Sequence, residues 1–232
     1  MKLFRCVIRY FSPAELLLWS GSTLMILAAF FLFDGENYLT LAASLIGAAS
    51  LIFTAKGNPA GQGLMVVFSL LYGAISYTFS YYGEMFTYLG MTMPMAAASL
   101  VSWLNNPYGG SRTQVKVDSI RRRELPAMCA LTLGVTAAFY FILRYFDTAN
   151  LLPSTLSVTT SFLAVYLTFR RSPFYALAYA ANDVILILLW VLACREDGRY
   201  VSVVVCFAAF LVNDLYGFFS WRKMARRQRA AV

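Results

Sequence analysis

The stretch Ala178-Tyr-Ala-Ala-Asn-Asp-Val-Ile-Leu-Ile-Leu-Leu-Trp190 is apolar except for one adjacent pair, Asn182-Asp183. A second stretch, Phe210-Leu-Val-Asn-Asp-Leu-Tyr-Gly-Phe-Phe-Ser-Trp221, repeats the pattern with Asn213-Asp214. Apolar stretches of this length are typical of helices that cross a hydrocarbon core about 30 Å thick. An aspartate near the middle of such a helix costs roughly 2.5–3.5 kcal/mol on insertion scales. We therefore expect both carboxyl groups to have a function or a specific partner.

Composition extends this interpretation from two stretches to the whole chain. Of its 232 residues, 60% are hydrophobic and only 13% are charged, a balance typical of a polytopic membrane protein rather than a soluble domain. The sequence predicts an all-α membrane protein with about eight transmembrane helices. The candidate spans are 14–33, 38–55, 64–82, 85–104, 126–146, 153–169, 174–194 and 200–221.

Basic residues fall almost entirely on one side of this eight-span arrangement. An even number of spans places both termini on one face, and that face receives 16 of the 19 lysines and arginines. The positive-inside rule therefore predicts that both termini are cytoplasmic, in a multi-pass protein of the plasma (inner) membrane. The runs Arg121-Arg-Arg123 and Arg226-Arg227 flank spans, so we interpret them as topology signals and lipid head-group contacts rather than a nucleic-acid surface.

Several classes of chemistry have no support in the residues present. The chain has no histidine, which removes histidine general bases and histidine metal ligands. Its four cysteines show no C-x-x-C spacing, so we expect neither a metal site nor a structural disulfide. The glycine-rich stretch Gly57–Gly63 lacks the Lys-Ser/Thr pair of a phosphate-binding loop. These observations favour passage of a solute over an enzymatic reaction, with no cofactor.

Matching positions recur at a nearly constant offset and predict an internal repeat. Pro59 and Pro173 are 114 residues apart, Gly83 and Gly198 are 115 apart, and Trp103 and Trp221 are 118 apart. Two parallel three-helix bundles joined by one helix would place a substrate site between them near the bilayer midplane. The predicted units are an N-terminal segment with an extra span (1–37), a first bundle (38–104), a cytoplasmic loop and linking helix (105–152), a second bundle (153–223) and a basic cytoplasmic tail (224–232).

Helical spacing groups the polar residues of the spans into faces. In span 7, Tyr175, Tyr179 and Asn182 share one face, and Asp183 lies one step round the helix. Asn182 and Asn213 could equally serve only to hydrogen-bond one helix to another. An aspartate within the membrane favours a functional role, because it is costly to bury. Glu84 is expected in a short turn, where a solvated carboxylate costs nothing. The candidate substrate-binding residues are Tyr88, Tyr175, Tyr179, Asn182, Asp183, Asn213, Asp214 and Tyr216.

Short ordered motifs give the chain a family resemblance. Leu71-Tyr-Gly-Ala-Ile-Ser-Tyr-Thr-Phe-Ser-Tyr-Tyr-Gly-Glu-Met85, with Met93-Pro94 and Ser102-Trp103, resembles the first half of the PnuC family of vitamin transporters. Asn182 and the final Asn213–Trp221 stretch resemble its second half, so the resemblance covers roughly residues 40–223. It implies a SWEET-like fold and facilitated diffusion of a vitamin precursor, nicotinamide riboside above all. It also implies a separate cytoplasmic kinase that traps the substrate.

One departure from the family pattern concerns the ligand. Nicotinamide riboside members carry W-x-x-W ahead of the span-7 asparagine, and the two positions here are Tyr175 and Ala178. Alanine cannot stack on a ring, so half of the aromatic clamp is missing unless Tyr179 replaces it. Thiamine, riboflavin or a nucleoside therefore stay open as substrates. An ionised aspartate facing the pathway would favour a cationic substrate, such as nicotinamide riboside or thiamine.

The sequence thus predicts a uniporter for a nucleoside-like vitamin precursor, with nicotinamide riboside first. The partners we expect are this small molecule and the lipid bilayer, and a homo-oligomer is compatible with the sequence. Two other hypotheses are a proton-coupled carrier with the aspartates as relay, and a non-transporting scaffold whose polar pairs only lock helices together.

Overall fold

The computed structural model describes residues 10–78, 82–148 and 150–231. Lys2, Arg5, Cys6 and Arg9, part of the predicted N-terminal segment, lie outside this range. The helices within it are α1 (Pro13–Ala29), α2 (Tyr38–Ala55), α3 (Ala60–Thr78), α4 (Tyr82–Thr87), α5 (Met93–Leu104), α6 (Leu125–Tyr145), α7 (Leu151–Phe169), α8 (Tyr175–Ala193) and α9 (Val201–Ala230). The short strands β1 (Pro107–Tyr108) and β2 (Ser111–Val115) form a hairpin.

Seven helical segments in the described part are long and apolar enough to cross a membrane, which confirms the all-α membrane fold. The fourth predicted span, 85–104, is instead built from α4, a π-helical turn (Tyr88–Thr92) and α5. Pro94 explains the interruption, because it has no N–H to donate to the carbonyl four residues back. These three pieces follow one another without a gap, and the crossing of the membrane by this eighth segment stays a prediction.

Helix contacts fall into two similar groups. In the first, α3 packs against both α2 and α5; in the second, α8 packs against both α7 and α9. The groups meet where α2 contacts α9 and where α5 contacts α7. Outside them, α1 lies on α2 and α9, and α6 lies on α7. This arrangement supports the predicted division into two three-helix units, whose boundaries stay a prediction.

Paired tryptophans tie the two groups together on the side of the termini. Trp103 donates its indole N–H to the carbonyl of Thr168 (3.0 Å), and Trp221 donates its own to the carbonyl of Thr54 (2.8 Å). Both rings are fully buried and their centroids lie 5.3 Å apart. The tryptophans are 118 residues apart and the threonines 114. Equivalent residues thus make equivalent bonds, in agreement with the repeat.

The connection between the halves and the C-terminal tail pack on each other. The hairpin turns at Gly109-Gly110, where both residues have positive φ (58° and 75°), a conformation that glycine adopts without strain. The Gln228 side chain donates to the carbonyl of Val115 (3.0 Å) and accepts from the amide of Val117 (2.8 Å). The residues predicted as a basic tail therefore continue α9 and dock on the connecting segment.

Candidate functional site

Two carboxyl groups meet in the interior where α8 crosses α9. Asp183 is 4% exposed and Asp214 is 3% exposed, and their side chains lie within hydrogen-bonding reach of each other. Among the described residues, Oδ2 of Asp183 has no hydrogen-bond partner, and neither aspartate belongs to an ion pair. Two buried carboxylates repel each other unless a proton or a cation joins them. The pair is therefore a place suited to a positive charge.

Hydroxyl groups of α7 hold Asn182 beside this pair. Its Oδ1 accepts from Ser157 Oγ, Thr160 Oγ1 and Ser161 Oγ, each at 3.0 Å. The three donors lie at i, i+3 and i+4, so they share one face of α7. They occupy the carbonyl oxygen of the amide, which makes the NH2 group the half that can donate to a ligand. The face of α7 that carries Ser157, Thr160 and Ser161 thus positions the side chain of Asn182, in addition to packing against α8.

Aromatic rings from the first group lie on the other side of the carboxyl pair. Tyr88, in the π-helical turn, lies close to Asp183, and its ring is 4.5 Å from that of Tyr72 and 5.8 Å from that of Phe68. Tyr88 is 8% exposed. Aromatic faces attract cations through their quadrupole. Carboxylate and ring together are a combination that binds organic cations.

The two tyrosines of α8 have different surroundings. Tyr175 is 1% exposed and packs edge-on against Trp221, with 5.0 Å between ring centroids. It therefore belongs to the tryptophan cluster on the side of the termini, although Asp214 is near it. Tyr179, one turn on, lies close to Asp183 and Asp214 and bonds to Thr168. Tyr179 is thus the better placed of the two to contact a molecule at the carboxyl pair.

Asn213 and Tyr216 face a different neighbour. Asn213 donates from Nδ2 to Ser22 Oγ on α1 (2.7 Å), and the Tyr216 hydroxyl donates to Glu15 Oε1 on α1 (3.4 Å). Successive residues on a helix point about 100° apart, so Asp214 faces α8 while Asn213 faces α1. The structure brings five of the eight predicted residues towards the carboxyl pair, namely Tyr88, Tyr179, Asn182, Asp183 and Asp214. It places Tyr175 in the tryptophan cluster, and Asn213 and Tyr216 at the contact with the N-terminal helix.

Glu84 is a polar residue that the sequence analysis set aside. It lies in α4 rather than in a turn, and its Oε2 is buried with no hydrogen-bond partner among the described residues. It lines a cavity of about 90 Å³ with Asn150 and Glu196, and a smaller adjoining one of about 20 Å³ with Ser157. The prediction of a solvated carboxylate at no cost is therefore wrong. The helical spacing to Tyr88 was the signal available in the sequence.

The face away from the termini carries a larger acidic cavity of about 450 Å³. Asp34, Glu36 and Asp197 line it, together with Arg199. Hydrogen bonds from Arg199 lower the pKa of Asp197, and the two side chains form an ion pair at 2.8 Å. One arginine against three carboxylates leaves the cavity net negative, which raises the local concentration of cations. Tyr72 borders this cavity and also contacts the aromatic rings of the interior.

Comparison with known proteins identifies the family. The family profile described as "Nicotinamide mononucleotide transporter" matches residues 37–223, well over half of the chain. The chain belongs to this family. Membership in the nicotinamide mononucleotide transporter family makes it a membrane transporter and confirms that predicted function. A scaffold that does not transport is therefore no longer an alternative.

Two relatives match this chain over most of their length. The nicotinamide riboside transporter PnuC of Neisseria mucosa is 25% identical over 94% of this chain and 83% of its own. The one from Haemophilus influenzae is 20% identical over 83% of this chain and 82% of its own. A crystal structure of the vitamin B3 transporter PnuC superposes with a TM-score of 0.82 at 21% identity, covering 94% of both chains. That superposition establishes the fold.

Proposed function

We propose that this transporter carries nicotinamide riboside by facilitated diffusion. The observation that carries the proposal is the buried pair Asp183–Asp214, which has no cation among the described residues. Nicotinamide riboside has a positively charged pyridinium ring, which a buried carboxyl pair would stabilise. The names of the two relatives point to the same molecule. Riboflavin and ordinary nucleosides are uncharged and would gain nothing from the pair, whereas thiamine is also a cation.

Each side chain of the site has a role in this proposal. Asp183 and Asp214 stabilise the ring charge, and Tyr88 and Tyr179 stack on the ring in place of the missing W-x-x-W clamp. The NH2 group of Asn182 donates to the carboxamide or ribose of the substrate. Tyr175, which packs against Trp221, supports the ring of Tyr179. Asn213 and Tyr216 act at a distance, by holding α9 against α1.

We extend the proposal to the cellular setting. In the predicted topology, 16 of the 19 basic residues fall on the side of the termini, which favours cytoplasmic termini in the plasma membrane. Movement of the two helix groups around the midplane site would expose it to each side in turn. A uniporter moves its substrate only down its electrochemical gradient, so a cytoplasmic kinase that phosphorylates the substrate would sustain net uptake. A homo-oligomer is compatible with this scheme and is not required by it.

Uptake into proteoliposomes tests the substrate and the role of charge together. The probes are labelled nicotinamide riboside and its reduced dihydro form, which has nearly the same shape and no ring charge. We expect saturable uptake of the cation, reduced about tenfold in Asp183→Asn and in Asp214→Asn, with a much smaller change for the neutral form. An equal loss of uptake for both probes would contradict recognition of the ring charge. Absence of saturable uptake would contradict nicotinamide riboside as the substrate.

Coupling is tested in the same vesicles. At constant membrane potential, facilitated diffusion predicts that uptake is unchanged when an ionophore dissipates an imposed proton gradient. A proton-coupled carrier, in which the carboxyl pair takes up and releases a proton, would lose its uptake. Thiamine in place of nicotinamide riboside then shows whether the site selects one cationic vitamin or accepts both.

A further inference from the structure

A second cavity, remote from the carboxyl pair, opens at the edge of the membrane on the side of the termini. Its volume is about 520 Å³, and it lies between the start of α6, the start of α8 and the end of α9. Three arginines of α9, Arg222, Arg226 and Arg229, line it. They are spaced by four and three residues, so they project from one face of the helix.

These three guanidinium groups have no acidic partner among the residues that the structure describes. No aspartate or glutamate is among the described residues that line the cavity, and none of the three arginines belongs to an ion pair in the described part of the chain. Arg222 instead lies over the ring of Phe218, 5.5 Å from its centroid. By contrast, Arg170 nearby is bound to Glu124 at 2.8 Å. The cavity therefore has an unbalanced positive charge.

Apolar side chains at the same cavity face outward. Leu125 is 43% exposed and Phe174 is 50% exposed, and Met128 also lines the cavity. Leu125 and Met128 belong to α6 and Phe174 immediately precedes α8, so these side chains lie at the ends of spanning helices. Arginines and exposed apolar side chains in one cavity match the two parts of a phospholipid, whose phosphate lies at the interface and whose acyl chains enter the hydrocarbon layer.

We propose that this cavity binds the head group of an anionic phospholipid. The phosphate contacts Arg222, Arg226 and Arg229, and an acyl chain lies against Leu125, Met128 and Phe174. Guanidinium groups favour this ligand because they can donate two parallel hydrogen bonds to a phosphate. The bound lipid would hold the end of α9 and the connecting helix α6 together.

Native mass spectrometry of the full chain in nanodiscs tests this site. The discs contain phosphatidylcholine with a minor fraction of phosphatidylglycerol, and the readout is the phosphatidylglycerol that stays bound after release. The test variant is Arg222→Gln/Arg226→Gln/Arg229→Gln. The matched control is Arg121→Gln/Arg122→Gln/Arg123→Gln, which removes the same charge from exposed residues outside the cavity. We expect retention to fall at least about tenfold in the test variant and less than about twofold in the control.

Three outcomes would overturn the proposal. Equal losses in the two triple variants would mean diffuse attraction to the membrane surface rather than a site. Unchanged retention in the test variant would place the lipid elsewhere. A shift in melting temperature with inorganic phosphate that matches the shift with phosphatidylglycerol would make the ligand a soluble anion. Should the triple variant not fold, Arg226→Gln alone is expected to lower retention about fivefold.

Discussion

The two halves of the molecule agree at one end and differ in the middle. On the side of the termini, Trp103 and Trp221 make the same bond to Thr168 and Thr54. At the offset of 114, however, Asn182-Asp183 of α8 corresponds to Phe68-Ser69 of α3. One half thus supplies an aromatic wall and the other supplies amide and carboxyl groups. The tryptophan contacts, which both halves share, hold the two helix groups together. The different residues in the middle give the candidate site an aromatic side and a polar side.

The placement of both carboxyl groups in one half of the molecule has a physical reason. A symmetric interface that repeated both carboxyl groups in the first half would bury four of them, more charge than one substrate could balance, at a high cost in the membrane. Concentrating both carboxyl groups on α8 and α9 lets the facing rings of Phe68, Tyr72 and Tyr88 exclude water around them. Exclusion of water strengthens each electrostatic interaction with a bound cation.

The largest expected effect tests the shared tryptophan contacts. Replacing either buried tryptophan by alanine removes a ring and an indole hydrogen bond, and each change should destabilise the fold by about 3–5 kcal/mol. If the halves are equivalent here, Trp103→Ala and Trp221→Ala should lower the melting temperature in detergent by similar amounts. Trp→Phe at each position, which keeps most of the ring, should cost clearly less. Very different decreases in melting temperature for the two alanine variants would show that the two halves are not equivalent at this end.

A second prediction concerns the polar half. Asn182→Ala removes the amide donor and takes away the side-chain acceptor of the Ser157 and Ser161 hydroxyls, whereas Thr160 keeps backbone carbonyls as acceptors. We expect uptake of nicotinamide riboside to fall between about tenfold and a hundredfold, in line with the loss of a buried hydrogen bond to a charged ligand. Initial rates in proteoliposomes measure this loss. Unchanged uptake would remove Asn182 from the site.

The smallest effect is expected at the other asparagine. Asn213 is as buried as Asn182 but donates to Ser22 Oγ on α1. Asn213→Ala should therefore lower stability by about 1 kcal/mol, the scale of interhelical hydrogen bonds in membranes, with uptake close to that of the unmodified protein. A thermal-shift measurement beside the uptake assay separates the two effects. A loss of uptake as large as that of Asn182→Ala would contradict this assignment and indicate that Asn213 contacts the substrate.

Much of the fold could be predicted because it follows from composition and periodicity. A long apolar run in a bilayer has to form a helix, since every backbone polar group must be satisfied within the segment. That requirement fixes the spans, and the distribution of lysine and arginine predicts their orientation. Two local features also had signals in the sequence, namely Gly109-Gly110 for the hairpin turn and Pro94 for the interrupted helix.

The sequence by itself thus determined a multi-pass helical transporter with two related halves and polar residues at mid-span. Only the tertiary structure decided which neighbour each polar residue faces. Asn213 and Asp214 are adjacent in sequence, yet one bonds to α1 and the other meets Asp183. The rotation of a helix is set by packing against its neighbours, and a rotation of about 100° exchanges the two residues. For the same reason, the position of Glu84 beside a cavity, with its Oε2 buried, depends on how α4 packs in the fold.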